Sequence, residues 1–149
     1  MSRAGILGVL RNNAALTAKV PPNNIYPNYS RDERPDSGPF VILRWHETAN
    51  FSTIFSGLTN GLDRAPRTLS IQVHIPVEIS TDFDEVDQIL DLIDAAIVPL
   101  EHHPDGYGKT ITCVKKSGRG RDLFDEGYNT ITREATYGVL THDTVSSEL

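Results

Sequence analysis

Four segments of this chain have the pattern of hydrophobic and polar residues that is typical of β-strands. The clearest is residues 68–75, in which apolar and polar side chains occupy successive positions. A period of two places the apolar side chains on one face of a β-strand. Residues 40–45, 109–114 and 128–140 are also rich in apolar or β-branched residues. The pattern therefore predicts four strands.

Two other segments carry apolar residues at helical spacing. In residues 82–98 they recur every three or four positions, which predicts an amphipathic helix. Asp82 followed by Glu85 resembles a capping box, and early acidic residues suit the positive end of a helix dipole. Pro99 then ends the helix. A shorter apolar stripe predicts a helix over residues 2–11.

The order of these elements is a short helix, two strands, a long helix and two strands. It predicts an α+β fold class with a four-stranded, mainly antiparallel sheet, the long helix packed on one face, and long loops. The 149 residues suit one domain. We expect that domain to span residues 1–142 and residues 143–149 to form a disordered tail.

Two connections exceed the roughly 12–15 residues usual for a structureless loop in a compact domain. They span residues 21–39 and 47–67, and the second contains Phe51, Ile54 and Phe55. These apolar side chains either fold back onto the core or form an arm that packs on a partner. An Asn-Gly dipeptide also allows a β-hairpin arm. Whether the two loops are ordered before assembly stays open.

Composition narrows the classes of function. Hydrophobic residues make up 38% and charged residues 23%, as in an ordinary globular protein. The net charge of -6 argues against general nucleic-acid binding. No apolar run approaches the roughly 20 residues that span a bilayer, and residues 1–20 lack a secretory signal, so we expect a cytoplasmic protein. One cysteine excludes an internal disulfide and a cysteine-based zinc cage.

Charge is distributed unevenly. Residues 68–108 contain many carboxylates and no Lys or Arg, whereas the following segment is basic. Four aspartates share one face of the predicted helix, and residues 117–120 predict a turn that exposes two arginines. Solvated surfaces are the more common explanation. The alternative is that the two regions are complementary surfaces that meet on neighbouring subunits.

Three segments suggest chemistry, and each has a simpler explanation. Residues 105–110 end like a phosphate-binding loop but lack its first glycine and follow a helix. His102 and His103 are adjacent, a poor spacing for one metal ion. Cys113 has no base or positive charge beside it to activate the thiol. We therefore expect no enzymatic activity, no metal and no cofactor.

The order of four stretches resembles the tail terminator proteins of long-tailed, non-contractile phages, particularly those of actinobacterial hosts. The stretches are residues 39–45, 66–74, 82–90 and 121–137. The resemblance covers about residues 40–140. Each stretch is weakly specific by itself, and their order carries the resemblance.

The resemblance implies a structural virion protein that lies at the head–tail junction and is assembled in the host cytoplasm. Such proteins form a ring, expected here to be a homohexamer, that ends tail-tube polymerisation and joins the tail to the head. Its partners would be itself, the tail tube protein and a head-completion or connector protein. Genomic DNA would pass through the ring without sequence-specific binding, and no membrane is involved.

Two alternatives remain: another head–tail joining protein, or a small metal-dependent enzyme that uses His102 and His103. For the favoured assembly role, the candidate partner-binding residues are Phe51, Ile54, Phe55, Asp84, Asp87, Asp91, Asp94, Lys115, Lys116, Arg119 and Arg121.

Overall fold

The computed structural model describes residues 3–27, 38–47, 67–104 and 108–143. Its helical elements are α1 (Arg3–Arg11), α2 (Ala14–Thr17), a 3-10 turn (Pro22–Asn24) and α3 (Phe83–Ile97). Its strands are β1 (Ile25–Tyr26), β2 (Phe40–Glu47), β3 (Arg67–Pro76), β4 (Glu101–Pro104), β5 (Lys109–Arg119), β6 (Leu123–Asp125) and β7 (Thr130–Asp143). No helix in these ranges has the length and hydropathy needed to span a membrane.

All strands of the described residues belong to one mixed sheet, in the order β1-β2-β3-β7-β5-β4, with β6 also paired to β7. The β1–β2 pair is parallel, and the others are antiparallel. The 14-residue β7 is central. It pairs with β3 along one side and with β5 and then β6 along the other. The sheet curls into a half-barrel.

The predicted fold class was wrong. The sheet has seven strands rather than four, it is mixed, and strands outweigh helices in the described residues. The strands β4 and β6 escaped detection because they have four and three residues, too few to display a period of two. In addition, β5 continues to Arg119 through residues predicted to turn, with a register shift between Lys116 and Gly118.

The helix α3 forms where its sequence signals predict. The Asp82 carboxylate accepts a hydrogen bond from the Asp84 backbone N–H at 2.9 Å, which caps the helix N-terminus. The apolar side of α3 is buried against the sheet through Val86, Ile89, Leu90, Ile93 and Ile97.

The main core lies between α3, α1 and one face of the sheet, which we call the α3 face. In β3 that face carries Leu69, Ile71, Val73 and Ile75, all buried. Neighbouring residues of paired strands point to the same side of a sheet. The register therefore places Ile131, Arg133, Ala135 and Tyr137 of β7 on the α3 face as well.

Candidate assembly surface

Three of the four aspartates of α3 bond to side chains of the sheet. We call this cluster the α3 charge network; its members are Asp87, Asp91, Asp94, Lys116, Arg119, Arg133 and Tyr137. The Arg119 guanidinium donates hydrogen bonds to Asp91 Oδ1 at 2.6 Å and to Asp94 Oδ2 at 2.8 Å. Lys116 Nζ lies 2.8 Å from the same Asp94 oxygen. The acidic helix and the basic strand thus neutralise each other within one chain.

Arg119 has a different environment from the one predicted. Its side chain is 14% exposed, because β5 extends to this residue and its pairing with Ala135 points the side chain to the α3 face. The expectation of an exposed turn arginine was wrong. Its Nε is buried without a hydrogen-bond partner among the described residues. The next arginine, Arg121, follows the end of β5 and is exposed.

Asp94 is the centre of the network. It accepts hydrogen bonds from Tyr137, Lys116 and Arg119. Burial alone would raise the pKa of Asp94, but these three donors outweigh it and hold the pKa below its usual value. Burial, reinforced by the bond to Asp94, raises the pKa of Tyr137. The carboxylate is therefore ionised and the phenol protonated at neutral pH.

Arg133 is a member of the network that was not predicted from the sequence. Its guanidinium donates to Asp87 Oδ1 at 2.7 Å and to the Gly120 carbonyl at 2.6 Å. The sequence does contain a signal for this residue. In the alternating pattern of β7, Arg133 lies on the same side as Ile131 and Ala135, where an apolar residue is expected. A charged residue on the core-facing side of a strand requires a partner there.

The opposite face of the sheet carries an aromatic cluster. His74 is 1% exposed and stacks on Phe40 with ring centroids 4.7 Å apart and planes 3° apart, while Tyr128 packs edge-on against both. His74 Nδ1 lies 2.8 Å from Thr130 Oγ1. Burial lowers the pKa of His74 to about 4, although the negative charge of Asp125 acts in the opposite direction and raises it. His74 is thus a neutral core residue at neutral pH.

Two surface features lie at opposite ends of β7. One, the β6 patch, consists of Leu123 and Phe124, which are 46% and 54% exposed. The other, the β5 cleft, has a volume of about 400 Å³ and lies between the end of α3 and the middle of β5. Its lining includes apolar Val98, Leu100, Cys113 and Val114 and basic Lys115 and Lys116.

No protein-family model matches this chain, and no curated protein matches it. Among solved structures, it is similar to a chain in the virion of a native gene transfer agent (GTA) particle. The TM-score is 0.64 and the sequence identity 14%, and the match covers 94% of this chain and 93% of the other. The two chains share a fold over nearly their whole lengths.

The structure separates the predicted partner-binding residues into three groups. Five of them belong to the α3 charge network: Asp87, Asp91, Asp94, Lys116 and Arg119. Three are exposed elsewhere: Asp84, Lys115 and Arg121. Phe51, Ile54 and Phe55 lie outside the described residues. A role of any of these residues in partner binding stays a prediction.

The residues weighed for metal chemistry do not form a cluster. His102 and His103 lie on β4, and Cys113 lies on the neighbouring β5. Within the described ranges, no three His, Cys, Asp or Glu residues come together in a group that could hold a metal ion.

Proposed function

We propose that this chain is a structural protein of a phage-like virion. The observation that carries the proposal is the fold shared with a chain of the GTA virion, over 94% of one chain and 93% of the other. A match of this extent concerns the whole described domain rather than a local motif. The order of sequence stretches that resembles phage tail terminators supports the same class independently of the fold.

Within that class, our proposal is a tail terminator. The chain would form a homohexameric ring at the head–tail junction, end tail-tube polymerisation and bind a head-completion or connector protein on its other side. The resemblance favours this role over another joining protein. A net charge of -6 fits a ring through which DNA passes without being retained, since like charges repel. We propose no catalytic activity and no cofactor.

Deletion of the gene in the strain that produces the particles tests this proposal. Electron microscopy is expected to show overlong tails and unattached, filled heads, restored by the wild-type gene in trans. Tails of normal length beside unattached heads would instead identify a head-completion protein. Normal, joined particles would refute a required structural role.

A purified system separates termination from joining. Tail tube protein polymerised with increasing amounts of this protein is expected to give shorter tubes capped at one end by a ring. An unrelated protein of similar size and net charge serves as the control for non-specific effects of added acidic protein. Tubes whose lengths do not respond to the protein would contradict termination.

A further inference from the structure

The strand β6 continues β5 along the same side of β7, with an irregularity between the two. The pairing of β5 with β7 ends at Arg119 and Ala135, and that of β6 begins at Leu123 and Thr132. The connection, residues 120–122, therefore has one residue more than the part of β7 that lies opposite, which interrupts the ladder as a bulge does. β6 is thus a three-residue strand that follows a natural hinge.

Little apolar burial holds β6 in place. Leu123 and Phe124 are about half exposed, residues 120–122 are exposed, and among the described strands β6 pairs with β7 alone. Segments with few buried apolar contacts open at a free energy well below that of global unfolding. β7 does not share this weakness, because its other side pairs with β3 from Thr130 onwards. We therefore expect β6 to leave β7 while the rest of the sheet stays folded.

The contact of β6 with β7 also leaves a polar group unsatisfied. Thr132 of β7 is 8% exposed, and its Oγ1 has no hydrogen-bond partner among the described residues. Its cross-strand neighbours are Leu123 of β6 on one side and His74 of β3 on the other, so β6 helps to keep water away from this hydroxyl. A buried hydroxyl without a partner is destabilising, and departure of β6 lets water bond to it.

One side chain fastens the connection that precedes β6. Arg133 Nε donates to the Gly120 carbonyl at 2.6 Å and lies 3.7 Å from Asp122 Oδ1. The Gly120 N–H donates in turn to the Glu134 carbonyl at 2.7 Å. The other end of the guanidinium is held by α3, because Arg133 Nη1 donates to Asp87 Oδ1 at 2.7 Å. Arg133 therefore joins α3, β7 and the connection through charge-assisted bonds, which are the stronger kind.

We propose that residues 120–125 form a strap that docks on β7 and opens from it, and that Arg133 is the latch of this strap. Asp87 orients the guanidinium, so the docked fraction depends on α3. The docked state displays Leu123 and Phe124 on the surface, and the open state bares the edge of β7 at residues 130–132. The strap is a conformational device that links the α3 charge network to the surface presented by β6.

Amide hydrogen exchange of the full-length protein, resolved to single amides by mass spectrometry, measures the opening. In wild type, the amides of β6 that bond to β7 are expected to exchange roughly tenfold or more faster than those of residues 69–75 in β3, which pairs on both sides. Arg133→Met removes the donors and keeps an unbranched side chain, and it is expected to raise this ratio by roughly another tenfold. Asp87→Asn is expected to raise the ratio less, because the bond to Gly120 remains.

Three further variants sharpen the measurement. Asp91→Asn is the matched control, since Asp91 bonds to Arg119 and leaves the Arg133 bonds in place, and the ratio is expected to stay unchanged. Thr132→Val keeps the shape of the side chain and removes the unpartnered hydroxyl, so it is expected to slow exchange of β6 by roughly threefold or more. Arg133→Lys keeps a charge beside Asp87 without the forked donors, and it provides the same measurement if Arg133→Met does not fold.

Each part of the proposal has an outcome that overturns it. Exchange of β6 no faster than that of β3 in wild type would show that β6 opens only with the whole domain. An unchanged ratio in the Arg133 variant that folds would remove Arg133 as the latch, and an unchanged ratio in Asp87→Asn would remove the link to α3. Faster exchange in Thr132→Val would contradict a docked state weakened by its buried hydroxyl. All of these outcomes leave the proposed role in a virion intact.

Discussion

The α3 charge network and the β6 patch lie on the same curled sheet and differ in whether their side chains are covered or bonded within the chain. In the network, carboxylates and basic groups that stand far apart in the sequence bond to one another at 2.6–2.8 Å. In the patch, an apolar side chain is more than half exposed. The network pairs its charged groups within one chain and leaves the Arg119 Nε without a partner among the described residues, whereas the patch leaves apolar side chains exposed. Segregated charge in a sequence therefore indicates a contact without indicating whether that contact lies within or between chains.

Members of the network do not contribute equally to stability. Asp91 is 70% exposed, and its bond to Arg119 resembles a surface ion pair, which adds little. Asp94 is 17% exposed and accepts hydrogen bonds from three donors. Its replacement therefore leaves these donors without an acceptor in a site that is largely shielded from water. Replacing the two carboxylates separately therefore measures how the stabilisation by an ion pair depends on its burial.

The largest expected effect belongs to Arg119→Glu. The change removes the donor to Asp91 and Asp94 and places a third carboxylate beside them in a partly buried site. We expect the free energy of unfolding to fall by about 3 kcal/mol or more, from urea titrations followed by circular dichroism. Arg121→Glu is the matched control, and its exposed side chain is expected to leave stability unchanged. An Arg119→Glu variant as stable as wild type would restore Arg119 as a candidate for binding a partner.

Asp94→Asn is expected to have a smaller effect, a loss of about 2 kcal/mol, because the amide keeps the shape of the carboxylate but loses its charge-assisted bonds. The same urea titration measures it. Asp91→Asn, its control on the same helix face, is expected to cost about 0.5 kcal/mol or less. Equal losses at the two positions would show that burial does not distinguish them.

The free energy of unfolding is also expected to decrease as the pH is lowered, because His74 is buried in its neutral form. Because the folded pKa of His74 is lowered to about 4 from an ordinary 6.5, the unfolded chain takes up this proton first. The stability is fully present above pH 6.5 and is lost progressively between pH 6.5 and 4. At pH 5.5, one unit below the ordinary value, the loss is about 1 kcal/mol.

His74→Phe provides the control for that loss, since it removes the titrating ring and retains a ring that can stack on Phe40. Its free energy of unfolding is expected to change less between pH 7.5 and 5.5 than that of wild type. Asp94 contributes in a separate, lower pH range. Because its folded pKa is lowered from an ordinary value of 3.8, its contribution to stability is lost only as the pH falls below that value. An unchanged slope in His74→Phe would remove His74 as the cause.

Regular elements of this fold could be predicted because their signals are local. Asp82 caps α3 as its position suggests, and residues 68–75 form the strand that their alternation predicts. The short strands β4 and β6 could not be predicted, since three or four residues carry no periodicity and each strand forms only by pairing with its neighbour in the sheet. The parallel β1–β2 pair likewise depends on the tertiary structure.

The candidate surfaces were less predictable, for a related reason. The sequence places Asp94 on an acidic stripe and Arg119 in a basic segment, but their 2.8 Å contact depends on β5 pairing with β7 as far as Ala135. The exposure of Phe124 could not be predicted from the sequence either, because a lone aromatic residue in a polar segment resembles any core residue. In this chain, tertiary pairing decides which side chains are satisfied internally and which remain available.

The smallest effect on folding is expected at Phe124, the aromatic residue of the β6 patch. The side chain is 54% exposed, so Phe124→Ser removes less than half of its area from the single chain, and the free energy of unfolding is expected to fall by about 1 kcal/mol. Its β7 neighbour Ile131 is 4% exposed, and Ile131→Ala is expected to cost about 2–4 kcal/mol in the same titration. Urea titrations at concentrations below ring formation measure both. A loss at Phe124 approaching that at Ile131 would mean that Phe124 belongs to the core of its own chain, and the contrast between a satisfied network and an unsatisfied patch would fail.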